Sequence, residues 1–151
     1  AKSKSVGISS FNNAKIIKPF YTKKPSQPEQ LFMELLDNSQ KVNWWFKNGE
    51  SEIKYFAVPY TDENGIERAF YVDFVVKFKN GTIGLFDTKG GMTAKDAGTR
   101  AEGLYKYLKA NKSKKVWGGI VIESHGSWRY NDKEKYEYNP NNLSDWKVLE
   151  I

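Results

Sequence analysis

The sequence predicts a mixed α/β domain with a small central sheet, in which the elements follow the order α-β-β-β-α-β. Three observations predict this class. A capped amphipathic segment begins at Pro28, two strand-like runs flank Asn80-Gly81, and a helical pattern over residues 94 to 110 precedes an apolar strand. Strands interleaved with helices are typical of domains in which helices cover the faces of one sheet.

The first helix is expected over residues 28 to 37. Ser26 is a candidate N-cap, Pro28 suits an early helical position, and Glu29 completes an S-x-x-E capping box. The apolar stripe is formed by Leu31, Phe32, Leu35 and Leu36. The run "VNWWFKNG" that follows is too aromatic for a plain loop, but its pattern assigns it no element. "IKYFAVPY" indicates the first strand, and "TDENG" indicates a turn.

The next two strands are expected over residues 68 to 78 and 82 to 89. A second helix over residues 94 to 110 has Thr93 as its candidate cap, with Asp96 completing a second capping box. Its buried stripe is expected to be Ala94, Ala97, Ala101, Leu104 and Leu108. "KVWGGIVIE" indicates a strand buried on both faces, and "DWKVLEI" a last short strand.

Composition limits the class of protein. A chain of 151 residues with 39% hydrophobic residues can bury one core, so residues 1 to 151 are expected to form one domain, plausibly part of a longer protein. The chain has no cysteine and no apolar run near the ~20 residues that span a bilayer, which favours a cytoplasmic location without a membrane partner. The formal net charge of +6 favours a polyanion such as nucleic acid, against a merely solvated surface.

Several kinds of functional site are disfavoured, because the sequence lacks the residues or motifs that they need. One histidine, His125, without cysteine cannot build a usual Zn²⁺ site. Ser-His-Asp catalysis is disfavoured, because the sequence has no nucleophile motif and "SHGSW" is typical of a polar loop. No Walker A sequence is present, so any ATPase or helicase activity would lie elsewhere in a parent protein.

The turn at Asn80-Gly81 decides where two aspartates point. A two-residue turn would set Asp87 opposite Phe74 and send Asp73 to the other face. A three-residue loop, with Gly81 in the left-handed conformation, would set Asp73 directly opposite Asp87, with Cβ atoms about 5 Å apart. Lys89 shares the face of Asp87, because side chains alternate along a strand. The sequence leaves both turns open.

An opposed carboxylate pair would need a reason to exist, since like charges facing each other are destabilising. A hard divalent cation such as Mg²⁺, which prefers oxygen ligands, would supply it. The plainer alternative is that Asp87 and Lys89 form a solvent-facing pair and that Asp73 ends a strand. Spacing alone does not separate a metal site from solvated charges.

The motif "VDF…FDTKGG" resembles the signature of the PD-(D/E)XK nuclease superfamily: Asp73, then Asp87-Thr88-Lys89 after thirteen intervening residues. Valine stands at position 72, where the pattern has proline, a position without chemistry. In order along the chain, "PEQLFMELLD", "VNWWFKNGE", "YFAVPY", "FYVDFVVKF", "GLFDTKGG" and "GGIVIE" are similar to the C-terminal nuclease domain of type III restriction subunits and DEAD/DEAH-box helicases. The resemblance covers about residues 18 to 123 and implies a restriction-endonuclease-like core with a mixed sheet flanked by helices.

The resemblance implies a role for each matching residue. Asp73 and Asp87 would ligate Mg²⁺, for which Mn²⁺ would substitute, and the backbone carbonyl of Thr88 would be a further ligand. Lys89 would position or deprotonate the attacking water and steady the pentavalent phosphate. The reaction implied is metal-dependent hydrolysis of DNA phosphodiester bonds in a restriction-modification or helicase-nuclease protein.

Several further residues have two interpretations each. The family has an acidic residue on its first helix, and Glu29 is chosen over Glu34 because it flanks the apolar stripe; alternatively Glu29 is only the capping glutamate. Lys95 and Arg100 would meet phosphates, or would lie on a solvated helix face. Base stacking or, preferably, core packing is open to a set of aromatic residues: Trp44, Trp45, Phe46 and Trp117. Glu123 is expected to be a strand-end charge.

The leading function is therefore a Mg²⁺-dependent endonuclease domain acting on DNA, with helicase or ATPase domains of the same parent protein as partners. The alternatives are a catalytically silent DNA-binding module with the nuclease fold, and a protein-interaction domain of a helicase. The intact Asp73, Asp87 and Lys89 disfavour the silent module. The sequence leaves open the recognition site, DNA against RNA, strand preference and oligomeric state.

Overall fold

The computed structural model describes residues 25–48 and 56–151. It is an α/β fold in which a six-stranded mixed sheet is flanked by helices and a two-stranded ribbon lies beside it. The helices are α1 (Gln27–Asn38), α2 (Gly91–Lys95) and α3 (Gly98–Ala110), with a 3₁₀ turn at Lys112–Lys114. The strands are β1 (Val42–Lys47), β2 (Val58–Thr61), β3 (Glu67–Phe70), β4 (Phe74–Phe78), β5 (Ile83–Thr88), β6 (Val116–Ser124), β7 (Ser127–Asn131) and β8 (Lys147–Val148).

The first helix begins as its capping signal predicts. The Ser26 hydroxyl accepts a hydrogen bond from the Glu29 amide at 3.3 Å and donates one to Oε1 of Glu29 at 2.9 Å. The predicted apolar stripe is wrong at one residue, since Leu31 is 39% exposed, whereas Met33 is fully buried beside Phe32. The helix therefore packs on the sheet through a face shifted toward Met33.

The first strand of the central sheet is not the predicted one. "VNWWFKNG", which the pattern left unassigned, supplies β1 at the sheet edge, paired antiparallel with β4. In the described part of "IKYFAVPY", residues 58–60 belong to β2, which pairs with β3 in the separate ribbon. Residues 53–55 of that run lie outside the described residues. Of the β1 aromatics, Trp45 is fully buried, as core packing predicts.

The turn between β4 and β5 is the three-residue loop. Phe78 and Thr82 bracket it: the Phe78 amide donates to Thr82 O at 2.9 Å, and the Gly81 amide donates to Phe78 O at 3.0 Å. Gly81 has φ of +91°, the left-handed conformation that this loop requires. The strand pairs then run from Lys77–Ile83 to Phe74–Phe86. This register is the one that brings Asp73 opposite Asp87.

The predicted strand over residues 68 to 78 is interrupted. Glu67–Phe70 pairs within the ribbon, Phe74–Phe78 pairs within the central sheet, and residues 71–73 carry the chain from one to the other. Val72 in this junction is fully buried, which anchors the crossing. Asp73 therefore lies at the point where the chain enters the central sheet.

The predicted helix over residues 94 to 110 is two helices. It starts earlier, with Gly90 as N-cap of α2, and breaks at Asp96, which ends α2 with φ of −98° and ψ of 9°. The predicted cap at Thr93 is wrong: Thr93 lies inside α2 and its hydroxyl binds the Gly90 amide at 3.0 Å. Asp96 completes no capping box. Ala94, Ala97, Ala101 and Leu104 are buried as the pattern predicts.

The crossover from β5 through α2 and α3 returns the chain to β6, which lies parallel to β5. The middle residues of β6 are buried, as the pattern of "KVWGGIVIE" predicts. The strand β7, not predicted from the sequence, pairs antiparallel with β6, and the short β8 confirms the strand expected in "DWKVLEI". Trp117 is partly buried against the core.

The two faces of the sheet are covered differently. One face packs α1 on the even-numbered residues of β4, namely Phe74, Val76 and Phe78. The opposite face packs Leu104 of α3 on Leu85 and the ribbon. Among residues 25–48 and 56–151, no helix has both the length and the hydrophobicity to cross a bilayer.

Candidate active site

The candidate site lies at one end of the central hairpin, where β4 begins and β5 ends. The pairing of β4 and β5 ends at Phe74–Phe86, and the next residue on each side is Asp73 and Asp87, which are joined by a hydrogen bond from the Asp73 amide to Oδ1 of Asp87. Asp87 is only 1% exposed. The site is thus built at the sheet end by two strand residues that the sequence spacing singled out.

A set of short hydrogen bonds fixes both carboxylates. The Asp73 amide donates to Oδ1 of Asp87 at 3.2 Å. In return, Oδ2 of Asp73 accepts from the Thr88 amide at 2.9 Å and from the Thr88 hydroxyl at 2.8 Å. The two strands therefore hold each other's carboxylates through backbone donors, which are rigid and give the side chains a fixed direction.

Lys89 lies beside Asp87, two residues further along the chain on the same face. Its Nζ is 2.7 Å from Oδ2 of Asp87. This oxygen is fully buried, and its contact is the Lys89 ammonium, whose charge and hydrogen bond both act on it. Asp87 is thus a buried oxygen anion, the ligand type that hard cations prefer.

Glu29 joins the site through a residue that the sequence pattern does not single out. Oε2 of Glu29 is 2.8 Å from Nζ of Lys47, at the end of β1. The same ammonium is 3.8 Å from Oδ1 of Asp73. Lys47 therefore connects the acid of the first helix to the aspartate pair. Glu34, the alternative acid, is exposed on the helix and takes no part in this cluster.

The protonation of Asp73 responds to its surroundings. Burial raises the pKa of this carboxyl, and the neighbouring charge of Asp87 raises it further, to about 7. Lys47 and Lys89 offset part of this effect. Around neutral pH, Lys47 and Lys89 therefore do not fully compensate the negative charge of the aspartate pair.

Two other groups of the site with shifted pKa values, Glu29 and Lys89, stay charged. Burial opposes ionisation of Glu29, but the hydrogen bond and charge of Lys47 outweigh it, so the pKa of this carboxyl is lowered. Burial also acts to lower the pKa of Lys89, yet the attraction of Asp87 outweighs it and raises that pKa. Lys89 is therefore an ammonium group at neutral pH, suited to bind an anion rather than to remove a proton.

Two open cavities meet at the site. One, of about 290 Å³, is lined by Asp73, Asp87 and Lys89 together with Tyr60, Tyr71 and Arg100. The other, of about 510 Å³, is lined by Glu29, Asp73, Thr88 and Lys89 together with Pro28 and Met92. Asp73 and Lys89 border both, so an extended ligand could pass across the pair.

The remaining candidates are placed unequally. Arg100 lines the smaller cavity, and its charge reaches Lys89. Lys95 is exposed at the end of α2 and lines neither cavity. Glu123 accepts a hydrogen bond from the Gly126 amide at 2.7 Å, and His125 lies in the same turn between β6 and β7. Glu123 is thus a strand-end residue, as expected.

Two residues of the site were missed by sequence reasoning, Lys47 and Asn48. The Asn48 amide donates to Asp73 O at 2.8 Å and extends the ladder between β1 and β4. The Asn48 side chain holds both backbone groups of Phe56. The available signal was the polar pair that closes the aromatic run "VNWWFKNG", where charge follows directly on buried residues.

The oxygen atoms of Asp73 and Asp87 decide whether the site suits a divalent ion. Within the described residues, no three His, Cys, Asp or Glu side chains converge as a ready-made metal cluster. The all-oxygen pair of Asp73 and Asp87 does fit the preference of Mg²⁺, which usually takes one or two carboxylates and completes its shell with water and phosphate oxygens. Oδ2 of Asp87 would give such an ion a buried anionic contact beside the Lys89 ammonium.

A family model described as YagJ family matches residues 19–137. The chain belongs to the YagJ family. No curated protein and no solved structure matches the chain.

Proposed function

We propose that this chain is a Mg²⁺-dependent endonuclease domain that hydrolyses DNA phosphodiester bonds on a PD-(D/E)XK-type core. The observation that carries the proposal is the register of the central hairpin. It brings Asp73 opposite Asp87 and leaves Lys89 2.7 Å from Asp87 at an open strand end. Two carboxylates and one ammonium at this spacing are the groups that metal-assisted phosphodiester hydrolysis needs.

The order of elements supports the same proposal. With the β2–β3 ribbon treated as an insertion and the short α2 joined to α3, the chain runs α1, β1, β4, β5, α3, β6. This is the α-β-β-β-α-β order that the motif resemblance implies. β5 and β6 are parallel and joined by helices that cross one face. The carboxyl end of β5 is then the natural position of a ligand.

The chain's own residues would divide the work. Asp73, Asp87 and the Thr88 carbonyl would hold Mg²⁺ or Mn²⁺. When bound, the ion would polarise a phosphoryl oxygen, lower the pKa of its water and stabilise the leaving oxygen. Lys89, as an ammonium, would bind a non-bridging phosphate oxygen and steady the charge that develops there.

Residues around the pair would orient the DNA. Arg100 lines the cavity on one side of Lys89 and would contact a neighbouring phosphate, and Lys95 would contribute only long-range attraction. The net charge of +6 would strengthen binding to a polyanion. We further propose that the parent protein is of the restriction or helicase-nuclease type, with its ATPase in other domains.

Plasmid nicking tests the proposal. Supercoiled DNA would be incubated with the chain in Mg²⁺, Mn²⁺ or EDTA. We expect nicking in either metal and none in EDTA, and at least a ~100-fold lower rate in Asp87→Ala and in Lys89→Ala. Circular dichroism would show that both variants keep the fold.

Glu34→Gln is the matched control, because this exposed carboxylate lies outside both cavities; its rate should equal that of the unchanged chain. Equal nicking by Asp87→Ala, Lys89→Ala and the unchanged chain would contradict the proposal. Salt-dependent DNA binding without metal-dependent products would instead favour the silent DNA-binding module.

A further inference from the structure

Lys47 is the charged group of the site that the proposed reaction does not use. It ends β1 and is only 5% exposed. Its Nζ lies 2.8 Å from Glu29 Oε2, 3.8 Å from Asp73 Oδ1 and 5.4 Å from the centre of the Phe74 ring. Burying an ammonium group is costly unless anions surround it, so this position is specified by the two carboxylates.

The cations of the cluster are divided between the acids. Three carboxylates (Glu29, Asp73 and Asp87) face two ammonium groups, Lys47 and Lys89. Lys89 forms an ion pair with Asp87, and Lys47 forms one with Glu29 while also facing Asp73. The two oxygens of Glu29 are both engaged, Oε2 by Lys47 and Oε1 by the Ser26 hydroxyl at 2.9 Å. The cation nearest to Glu29 is therefore the Lys47 ammonium, which lies between this carboxylate and Asp73.

We propose that the Lys47 ammonium is a built-in cation that fills the place between Glu29 and Asp73 where a second divalent ion would otherwise bind. The site then takes a single exchangeable ion, at Asp73 and Asp87, and Glu29 is a positioning residue rather than a metal ligand. This inference rests on the proposed function, because the first ion is the one that the nuclease proposal requires.

The arrangement has a physical advantage over a second ion. A lysine on a strand is always present, so one side of the aspartate pair is neutralised without depending on the metal concentration. Lys47 also reaches Oδ1 of Asp73, the carboxylate oxygen that Thr88 does not hold. It thereby orients this carboxylate from the side opposite to Thr88.

Calorimetric titration with Mn²⁺ tests the inference without DNA and without activity. The unchanged chain should bind one ion. Lys47→Met, which keeps the side-chain length and removes the charge, should bind two ions, because Glu29 and Asp73 are left without their cation. The double variant Lys47→Met with Glu29→Gln should return to one ion.

Two further variants keep the test decisive should Lys47→Met not fold. Lys47→Arg retains the charge and should bind one ion. Glu29→Gln should bind Mn²⁺ with an affinity within about twofold of the unchanged chain, whereas loss of a true ligand typically costs tenfold or more. Where the unchanged chain binds one ion, a single ion bound by folded Lys47→Met, or an affinity tenfold weaker in Glu29→Gln, would overturn the inference.

The failure of the proposed function would look different. No Mn²⁺ binding by the unchanged chain would contradict the metal site itself. If Lys47→Met then bound one ion that is lost again in the double variant, Lys47 would still be the cation that excludes a metal from Glu29. If neither the unchanged chain nor Lys47→Met bound an ion, both the proposed function and this inference would be contradicted.

Discussion

Asp73 is the residue of the site whose negative charge is most strongly disfavoured by its surroundings. It lies opposite a second carboxylate, and its neighbours raise its pKa to about 7 from an ordinary value of 3.8. Its position is nevertheless enforced by the hairpin register and by donors from Thr88 and Asn48. Strongly shifted pKa values cluster at functional sites. The function that we propose for this aspartate pair is to bind a cation.

This disfavoured charge predicts a pH-dependent stability in EDTA. Because the pKa of Asp73 is raised in the folded chain, its contribution to stability is complete below the ordinary value of 3.8 and is lost as the pH rises through about 7. Asp73→Asn keeps an acceptor for Thr88 but carries no charge. It should therefore be more stable than the unchanged chain by about 1 kcal/mol at about pH 8, and equal to it near pH 4.

Thermal unfolding in EDTA at a series of pH values measures this difference, which corresponds to a change in Tm of roughly 2–4 °C. Glu34→Gln serves as a control, since neutralising an exposed carboxylate should leave the pH profile in place. Parallel pH profiles for Asp73→Asn and the unchanged chain would mean that Asp73 is not under charge strain.

At the residue scale, spacing drew attention to Asp73, Asp87 and Lys89 but left the turn, and with it the pairing of the aspartates, open. Their roles and the need for an acid on the first helix came from the motif resemblance, and Glu29 was chosen for its place beside the apolar stripe. Lys47 was missed because a lone lysine after aromatic residues has no local partner. Its partners come from α1 and from the start of β4, and only the folded chain brings them together.

Among the elements, β6 is the one whose backbone the site depends on most. Gly118 and Gly119 have φ of +133° and +151°, values that residues with a side chain rarely adopt. A Cβ at Gly118 would lie 2.1 Å from Leu85 O in β5, and one at Gly119 would lie 1.9 Å from Asn131 O in β7. The close approach of three strands therefore requires both glycines.

Gly118→Ala should reduce the free energy of unfolding by about 3 kcal/mol, because it combines backbone strain with a clash against β5. Gly126→Ala is the matched control: its φ is +81°, but no atom lies within 4 Å of the added Cβ. It should cost only about 1 kcal/mol. Urea unfolding measures both, and equal losses would show that the contact between β5 and β6 is not as close as described.

The predicted elements failed where tertiary structure overrides a local pattern. The helix over residues 94 to 110 has a continuous alanine stripe, yet the chain breaks at Asp96 and Ala97 so that α2 and α3 both pack on the sheet. The strand over residues 68 to 78 alternates throughout, yet residues 71–73 transfer the chain between two sheets. Periodicity reports which residues are buried, and it does not report which neighbour buries them.

For the whole molecule, the proposed function together with the net charge predicts how DNA should bind. In Ca²⁺ or EDTA, where no cleavage is expected, affinity should fall steeply with salt, since binding of a polyanion releases counterions. Arg100→Gln, at the cavity beside Lys89, should weaken binding and reduce the salt slope by about one.

Lys79→Gln is the matched control, because Lys79 lies in the loop at the opposite end of the hairpin. Its removal should leave the salt slope unchanged. Fluorescence anisotropy with a labelled duplex at several salt concentrations gives both values. Identical slopes for the two variants would argue that DNA does not lie across the aspartate pair.

The fold class was predictable for the whole molecule because the order of helices and strands survives errors in single elements. The mixed sheet and its flanking helices follow from that order, whereas the edge position of β1 and the separate ribbon do not. These depend on which strand reaches β4 first, and this competition between partners has no signature in one sequence.

Binding of an ion needs neither DNA nor any other domain, so it tests the aspartate pair most directly. Free Mn²⁺ would be followed by electron paramagnetic resonance as it is titrated into the unchanged chain and into Asp87→Asn, with circular dichroism to verify both folds. We expect the unchanged chain to deplete the free Mn²⁺ signal and Asp87→Asn not to. Equal depletion by both chains, or none by either at millimolar Mn²⁺, would contradict a metal site at Asp73 and Asp87.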